Sequence, residues 1–354
     1  MDNTARRAQP EPKDNRFRDP EWSENPVFDF LLIGGGLSLF VGALAWAGGL
    51  RLTQDHVPAI LLLGNFAHFA ASTVRLYITP GATRRWPMLT LGFPLACLIV
   101  FTAVLAFADW LVRYVFAVFL VWSPYHYAAQ AYGLSMMYAY RSDCPVADGD
   151  KRLVRLACLI PFFWAVLRPQ GGLGVTLKHL GIVAPMPLEH LRAGVSTGLS
   201  VVALLAPFVL FLVLQRRGRT LPLISLSVIA VNAVWWTAFN YINAFFWAAL
   251  FHGVQYLTIA AIFHVREQTR RPENRRGWAV HVGIFYGASV ALAYGLFVLW
   301  PDAYVALGYE RMLTAQLVVA VINIHHFVVD AYIWRLRRDP NLRTVVDQPV
   351  PVEA

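Results

Sequence analysis

Charged residues are scarce in this sequence of 354 residues. They make up 14% of the chain, whereas soluble domains carry about 25%, and 57% of the residues are hydrophobic. This composition excludes an ordinary soluble protein and is typical of a polytopic membrane protein. The formal net charge of +9 does not indicate a nucleic-acid partner, because the basic residues lie in short loops between apolar runs, where membrane topology places them.

Cysteines and the common catalytic motifs are few or absent. The chain has three cysteines and no CxxC pair, so neither a disulfide framework nor a thiolate metal site is indicated. It contains no Walker loop, no GxSxG elbow and no HExxH pattern, and the HxxxH and HxxHH boxes of the membrane fatty-acid desaturases are absent. The GGG at 34–36 starts no strand-turn-helix unit, which excludes a dinucleotide fingerprint.

Long apolar runs are what the sequence does have. Because a helix needs ~20 residues to cross a bilayer, we predict an all-α bundle of about ten transmembrane helices in a domain that covers 27–335. The predicted spans are 27–50, 57–79, 87–108, 110–140, 153–167, 193–214, 220–239, 244–264, 278–299 and 312–335.

Polar tails flank this domain, at 1–26 and 336–354. The first is rich in Pro, Asp, Glu and Arg, so it is not a cleavable signal peptide. Both tails and every second loop are rich in arginine, and the loops between them carry few basic residues. The positive-inside rule then puts both tails in the cytoplasm, and we expect the protein in a bacterial cytoplasmic membrane.

Ten histidines are present, and their placement is the most informative feature. Five lie at membrane depth: His68 in the second predicted span, His126 in the fourth, His252 in the eighth, and His325 and His326 in the tenth. These four spans are predicted to run in the same direction, so the imidazoles are expected to converge on one layer. Polar side chains are expensive in hydrocarbon and tend to face the interior of a bundle. An interhelical hydrogen bond explains a single such histidine, but five together favour a shared site.

Polar residues recur at fixed distances from these histidines. Three pairs have the spacing i to i+4, which places both groups on one helix face: His68 with Ser72 (HFAAS), His126 with Gln130 (HYAAQ) and His326 with Asp330 (HFVVD). At a spacing of three residues, Gln255 follows His252, Asn65 precedes His68 and Asn323 precedes His326.

Imidazoles and a carboxylate together form a metal-ligand set. Neutral imidazole suits iron, copper, zinc or nickel, and a carboxylate shifts the balance toward iron or manganese. Asp330 is a candidate fifth ligand or ligand-orienting group and, with Gln130, a candidate catalytic residue. The amides of Asn65, Gln255 and Asn323 are candidates for holding the metal site in place. His325 and His326 are about 100° apart on a helix, so one of them is expected to face the site, and the shared spacing favours His326.

At the HFAAS and HHFVVD segments the chain resembles the bacteriorhodopsin-related-protein family of membrane β-carotene 15,15'-dioxygenases. The resemblance implies an all-helical membrane protein that uses histidine-bound non-haem iron and O₂. The chain departs from the family pattern, because the early PHG-containing motif has no counterpart and only the pair His326 and Asp330 keeps the acid. The carotenoid substrate is therefore not carried over, whereas a His-ligated metal reached from within the membrane is.

These patterns lead to one main prediction and two alternatives. We predict a membrane-embedded non-haem iron oxygenase that acts on an apolar, lipid or isoprenoid-like substrate among membrane lipids. A haem-binding electron-transfer protein would use pairs of the same histidines as axial ligands. A transporter of metal ions or small solutes would line its path with them.

Overall fold

The computed structural model describes residues 25–48, 56–142, 144, 146–168, 171–183 and 185–334, apart from the side chains of 179, 241 and 242. Within these residues the chain is helical and has no strand. The predicted tail 336–354 lies outside the described residues, as do residues 1–24 of the other predicted tail.

Twelve helices account for most of the described chain. They are α1 Pro26–Ile33, α2 Gly36–Trp46, α3 His56–Ile78, α4 Met88–Phe107, α5 Val112–Arg141, α6 Asp148–Leu167, α7 Gly172–His179, α8 Met186–Arg216, α9 Leu223–Trp236, α10 Ala244–Thr269, α11 Trp278–Ala306 and α12 Arg311–Ile333.

Eight helical stretches in the described part of the chain are long and apolar enough to cross a membrane. They comprise α3, α4, the stretch Asp148–Lys178 that includes α6 and most of α7, α8, the stretch Leu223–Asn240 that extends α9, α10, α11 and α12. The pair α1 and α2 would be a ninth span if counted as one. The 30-residue α5 is long enough, at about 45 Å, but the polar side chains of His126 and Gln130 lower its hydropathy. The predicted all-helical structure with several helices of membrane-spanning length is confirmed in the described residues, whereas the count of ten spans and the orientation of the tails stay predictions.

The three glycines at 34–36 mark a sharp turn between α1 and α2. The two helices are bent by 52° relative to each other. Gly35 has a φ of 83°, and a Cβ atom there would lie 2.4 Å from Cγ1 of Val231 in α9. The glycine run therefore serves a backbone turn packed against a neighbouring helix, where an L side chain would be strained and would clash.

Close approach of α3 and α10 positions the centre of the bundle. A Cβ atom at Gly253 of α10 would lie 2.8 Å from the main-chain oxygen of Gly64 and 2.9 Å from Nδ1 of His68, both in α3. Only glycine leaves room for this contact. A π-helical turn, Leu61–Phe66, directly precedes the α-helical segment that carries His68. Such turns shift the register of the following side chains and are frequent at functional sites.

The C-terminal helix completes the arrangement. The N-terminus of α12 is capped by the Glu310 side chain, which accepts hydrogen bonds from the main-chain N–H groups of Met312 and Leu313. This helix packs against both α3 and α5. The four helices that carry His68, His126, His252 and His326 thereby enclose one interior volume.

Candidate metal centre

Four histidines, one from each of these four helices, meet in the interior of the bundle. The distances between ring centroids are 5.0 Å for His68 and His252, 5.1 Å for His252 and His126, 5.0 Å for His126 and His326, and 4.9 Å for His326 and His68. With metal–nitrogen bonds of about 2.1 Å, four imidazoles around one ion have neighbouring ring centres roughly 4.5–5.2 Å apart. The spacing of the four rings lies in this range, and their candidate ligand atoms form two groups that share His326: His68, His252 and His326, and His126, His326 and Asp330.

Two of these histidines and Asp330 form a triangle of ligand atoms. Nε2 of His326 lies 3.2 Å from Nε2 of His126 and 3.4 Å from Oδ2 of Asp330, and the remaining side, from His126 Nε2 to Asp330 Oδ2, is 3.6 Å. The three atoms are close enough together for one ion to contact all of them at roughly 2.0–2.2 Å, the usual length of a metal–nitrogen or metal–oxygen bond. Two histidines and one carboxylate on a face are the set typical of non-haem iron oxygenases.

The hydrogen bonds around His326 determine which of its nitrogens is free to bind a metal. Oγ of Ser72 donates to the main-chain oxygen of Phe69 at 2.9 Å and lies 3.0 Å from Nδ1 of His326. If Ser72 gives its one proton to Phe69, it can only accept from Nδ1–H of His326. That tautomer would leave the Nε2 lone pair of His326 facing His126 and Asp330, as a metal ligand requires.

The other two histidines have ring nitrogens without partners. His68 is completely buried and His252 is 1% exposed. Both ring nitrogens of His68 and Nε2 of His252 lack a hydrogen bond of normal geometry. His68 only approaches the main-chain carbonyl of Asn65 loosely. Burying polar atoms without a partner costs free energy. A ligand atom of each of these two residues and one of His326 all lie within 4.8 Å of one another, so one ion could bind one nitrogen of each ring.

The two carboxylate oxygens of Asp330 face different groups, one the histidines and the other a tyrosine. Oδ2 faces the two histidines, while Oδ1 accepts a hydrogen bond of 2.7 Å from the hydroxyl of Tyr256. Nε1 of Trp334 donates to the same hydroxyl at 3.3 Å. This chain of hydrogen bonds fixes the carboxylate so that a single oxygen points at the centre.

His325 lies outside the group. Its ring stacks on Phe93 of α4 with centroids 5.3 Å apart, and it belongs to neither cluster of candidate ligands in the described chain. Its neighbour His326 faces the centre, as the spacing of His326 and Asp330 favours.

The predicted amide residues lie nearby but contact other groups. Nε2 of Gln130 donates to the main-chain oxygen of His252 and to Oε1 of Gln255, both at 3.3 Å, which joins α5 to α10. Gln255 donates to the main-chain oxygen of Ile33, and Asn323 to that of Val319. Oδ1 of Asn65 and Oδ1 of Asn323 are buried without a partner. Among the described residues no hydrogen bond joins these four amides to a histidine ring, whereas Ser72 makes one.

A cavity of about 390 Å³ reaches the centre from one side. It lies between α5, α10 and α12, and its wall includes His126, Asp330 and Tyr256. The remaining lining residues, mostly apolar, are Trp122, Tyr125, Ala129, Gln130, Gly133, Leu134, Met137, Gln255, Ile259, Phe327, Ala331 and Trp334. On α5 these residues run from Trp122 to Met137, about 22 Å along the helix axis, so the cavity is elongated.

The exposed lining residues show where the cavity opens. Trp122, Tyr125 and Ala129 on α5 and Ala331 on α12 are exposed on the outer surface of the bundle. The opening therefore lies on the side of the helices rather than at a helix end. His126, whose side chain is 11% exposed, is the histidine of the four that lines the cavity.

Sequence reasoning missed three residues of this site. Tyr256 follows His252 at the same i to i+4 spacing as the other three pairs, so extending that rule would have found it. Gly253 and Trp334 carry no comparable signal, because their roles depend on which helices pack together.

Comparisons with known proteins found no match. No protein-family model matches it, and neither a curated protein nor a solved structure is significantly similar to it. The resemblance to the membrane β-carotene dioxygenases therefore stays a prediction.

Proposed function

We propose that this integral membrane protein is a non-haem iron oxygenase that acts on an apolar, lipid or isoprenoid-like substrate. The observation that carries the proposal is the triangle of His126, His326 and Asp330, whose size fits an ion and whose composition suits non-haem iron. Iron bound there would supply the activation of O₂ and the electron transfer that side chains cannot provide.

The residues of the chain have distinct roles in this proposal. His68 and His252 complete the ligand set around the ion, and Ser72 holds His326 in the binding tautomer. Asp330 adds a negative charge that four neutral imidazoles lack. Burial of three of the four histidines keeps bulk water from the centre, so that access is restricted to the cavity beside His126.

The cavity supports an apolar and elongated substrate. Its wall is largely aromatic and aliphatic, with its few polar groups gathered near His126 and Asp330. Small-molecule sites of this type bind by apolar contact and orient the ligand by a few polar groups. Because the opening lies on the side of membrane-spanning helices, we propose that the substrate enters from the lipid.

The alternatives are less well supported by the same geometry. A haem would need two histidines on opposite faces of a wide macrocycle, whereas these four rings lie within about 5 Å of their neighbours. A transporter of ions would favour a hydrated path over an apolar wall. A structural hydrogen-bond network would join His126 to His326 but leave both nitrogens of His68 buried without partners.

Metal analysis with a visible spectrum tests the proposal. We expect detergent-purified protein to contain iron without a Soret band, and the double variant His68→Ala, His326→Ala to lose that iron while still folding. A Soret band would instead support the haem alternative. Absence of iron from the wild-type protein, also after anaerobic addition of ferrous iron, would contradict the proposed function.

A further inference from the structure

We propose that Tyr256 is a one-electron donor to the metal centre and that Trp334 connects Tyr256 with the end of α12. The inference rests on the proposed function, because it requires a redox-active metal beside Asp330. It assigns a redox role to two aromatic residues that are not themselves metal ligands.

The surroundings of Tyr256 suit the loss of an electron and a proton together. Its side chain is buried, and its ring centroid lies 5.6 Å from that of His68 and 5.4 Å from that of His326. A phenol that loses an electron in an apolar interior must also lose its proton, because a buried positive charge is very costly. Oδ1 of Asp330, 2.7 Å from the hydroxyl, is in place to accept that proton.

Trp334 extends this contact toward the surface. Its indole N–H donates to the Tyr256 hydroxyl at 3.3 Å, and the two ring centroids are 5.7 Å apart. Trp334 directly follows the last residue of α12 and is partly exposed. An electron from a donor outside the bundle therefore has a short route through two aromatic rings to the centre.

A buried arginine favours Tyr256 over Trp334 as the site of the radical. The guanidinium carbon of Arg75 lies 4.8 Å from the ring centroid of Trp334, and Arg75 is 5% exposed. A nearby positive charge in a low-dielectric interior disfavours a second one on the indole. Tyr256, which can pass its proton to Asp330, is thus the residue on which the radical accumulates.

Hydrogen peroxide is a suitable oxidant for testing this step, and the atoms and electrons of the reaction balance. One molecule of hydrogen peroxide takes one electron from ferrous iron and one electron with one proton from Tyr256. With one further proton from solvent it leaves as two molecules of water. The O–H bond of Tyr256 breaks, its proton passes through Asp330, and a neutral tyrosyl radical remains.

Freeze-quench electron paramagnetic resonance on the iron-loaded protein after addition of hydrogen peroxide tests the proposal. We expect a tyrosyl radical in the wild-type protein and its loss in Tyr256→Phe. Tyr127→Phe is the matched control, since the Tyr127 ring stacks on His252 with centroids 4.1 Å apart but its hydroxyl does not bond to Asp330. An unchanged radical in Tyr256→Phe, or its loss in Tyr127→Phe, would overturn the assignment.

The role of Trp334 has its own readout. In Trp334→Phe we expect the radical to form in the same yield but to decay more slowly when ascorbate is supplied as the external reductant. An unchanged decay rate would remove Trp334 from the route. Iron content is measured on every sample, which separates the two proposals. Protein without iron contradicts both the proposed function and this inference. Iron without a tyrosyl radical contradicts this inference alone.

Discussion

Asp330 combines a carboxylate, a position beside two histidines and a hydrogen bond from Tyr256. Its Oδ2 lies within 3.6 Å of two histidine nitrogens while its Oδ1 is held by Tyr256. A carboxylate at this depth is expensive unless it is paired or bound to a metal. The residue therefore links the stability of the buried centre to its occupation by a cation.

Replacement of this carboxylate tests its role as a ligand. In Asp330→Asn we expect iron affinity to fall by about 10- to 100-fold or more, because the amide keeps the shape of the side chain but loses its charge. Titration of the metal-free protein with ferrous iron measures the change. The control is Asp302→Asn, which alters an exposed ion pair with Arg311 and should leave the affinity unchanged. Equal affinities in Asp330→Asn and the wild-type protein would show that Asp330 is not a ligand.

At the residue scale, helical spacing predicted much of the site. The i to i+4 rule connected His68 to Ser72 and His326 to Asp330, and the structure brings these four residues together. The rule could not show that Gln130 is used to join α5 to α10, since that depends on a contact with Gln255 from a distant part of the chain. The same rule favoured His326 over His325, but it could not show that His325 stacks on Phe93 of α4.

At the element scale, the contact of α3 with α10 is the feature on which the centre depends. Gly253 follows His252 in α10 and touches the main chain of α3 beside His68. Two ligand-bearing helices can approach this closely because the position has no side chain. Small residues are the usual means of bringing helices together in lipid.

Addition of one methyl group here should disturb the metal site. In Gly253→Ala the new Cβ would meet a main-chain oxygen at 2.8 Å, which cannot rotate away, so α3 and α10 must separate. We expect a destabilisation of about 1–3 kcal/mol, measured by thermal unfolding in detergent, together with reduced iron content. Gly287→Ala in α11 serves as the control, because a Cβ there meets nothing within 4 Å. If Gly253→Ala unfolded at the same temperature as Gly287→Ala and kept its iron, the close contact would not matter.

Apolar runs predicted the helices well, since length and hydropathy act along the sequence. They did not predict the bend at Gly35 or the π-helical turn before His68. Gly35 packs against Val231 of α9, a residue far away in the sequence. From the sequence alone, the glycine run at 34–36 only excluded a dinucleotide-binding motif.

At the scale of the whole molecule, the bundle combines a buried candidate metal site with a lateral cavity. Three histidines are buried, and the fourth, His126, meets an elongated space between α5, α10 and α12. This arrangement suits chemistry on a molecule that stays dissolved in lipid. The sequence predicted the histidine layer but not the cavity, because the cavity is the gap left between helices after they pack.

Closing the opening should block ligand entry without removing the metal. In Ala129→Trp a large ring would fill the mouth of the cavity, so we expect weaker binding of cis-parinaric acid, a fluorescent polyene fatty acid, with iron content unchanged. Energy transfer from protein tryptophans to the probe measures binding. Val202→Trp, on the exposed surface of α8, which does not line the cavity, corrects for the added tryptophan. Undiminished binding in Ala129→Trp relative to Val202→Trp would rule out entry at this opening.

The most direct test of the account compares two adjacent histidines. His326 faces the other ligands, whereas His325 stacks on Phe93 outside the group, so His326→Ala and His325→Ala remove the same side chain one position apart. Iron per protein, determined by plasma mass spectrometry on both purified variants, is the measurement. The account predicts that His326→Ala loses its iron and His325→Ala retains it. Equal iron in the two variants, or loss in His325→Ala alone, would contradict the metal centre described above.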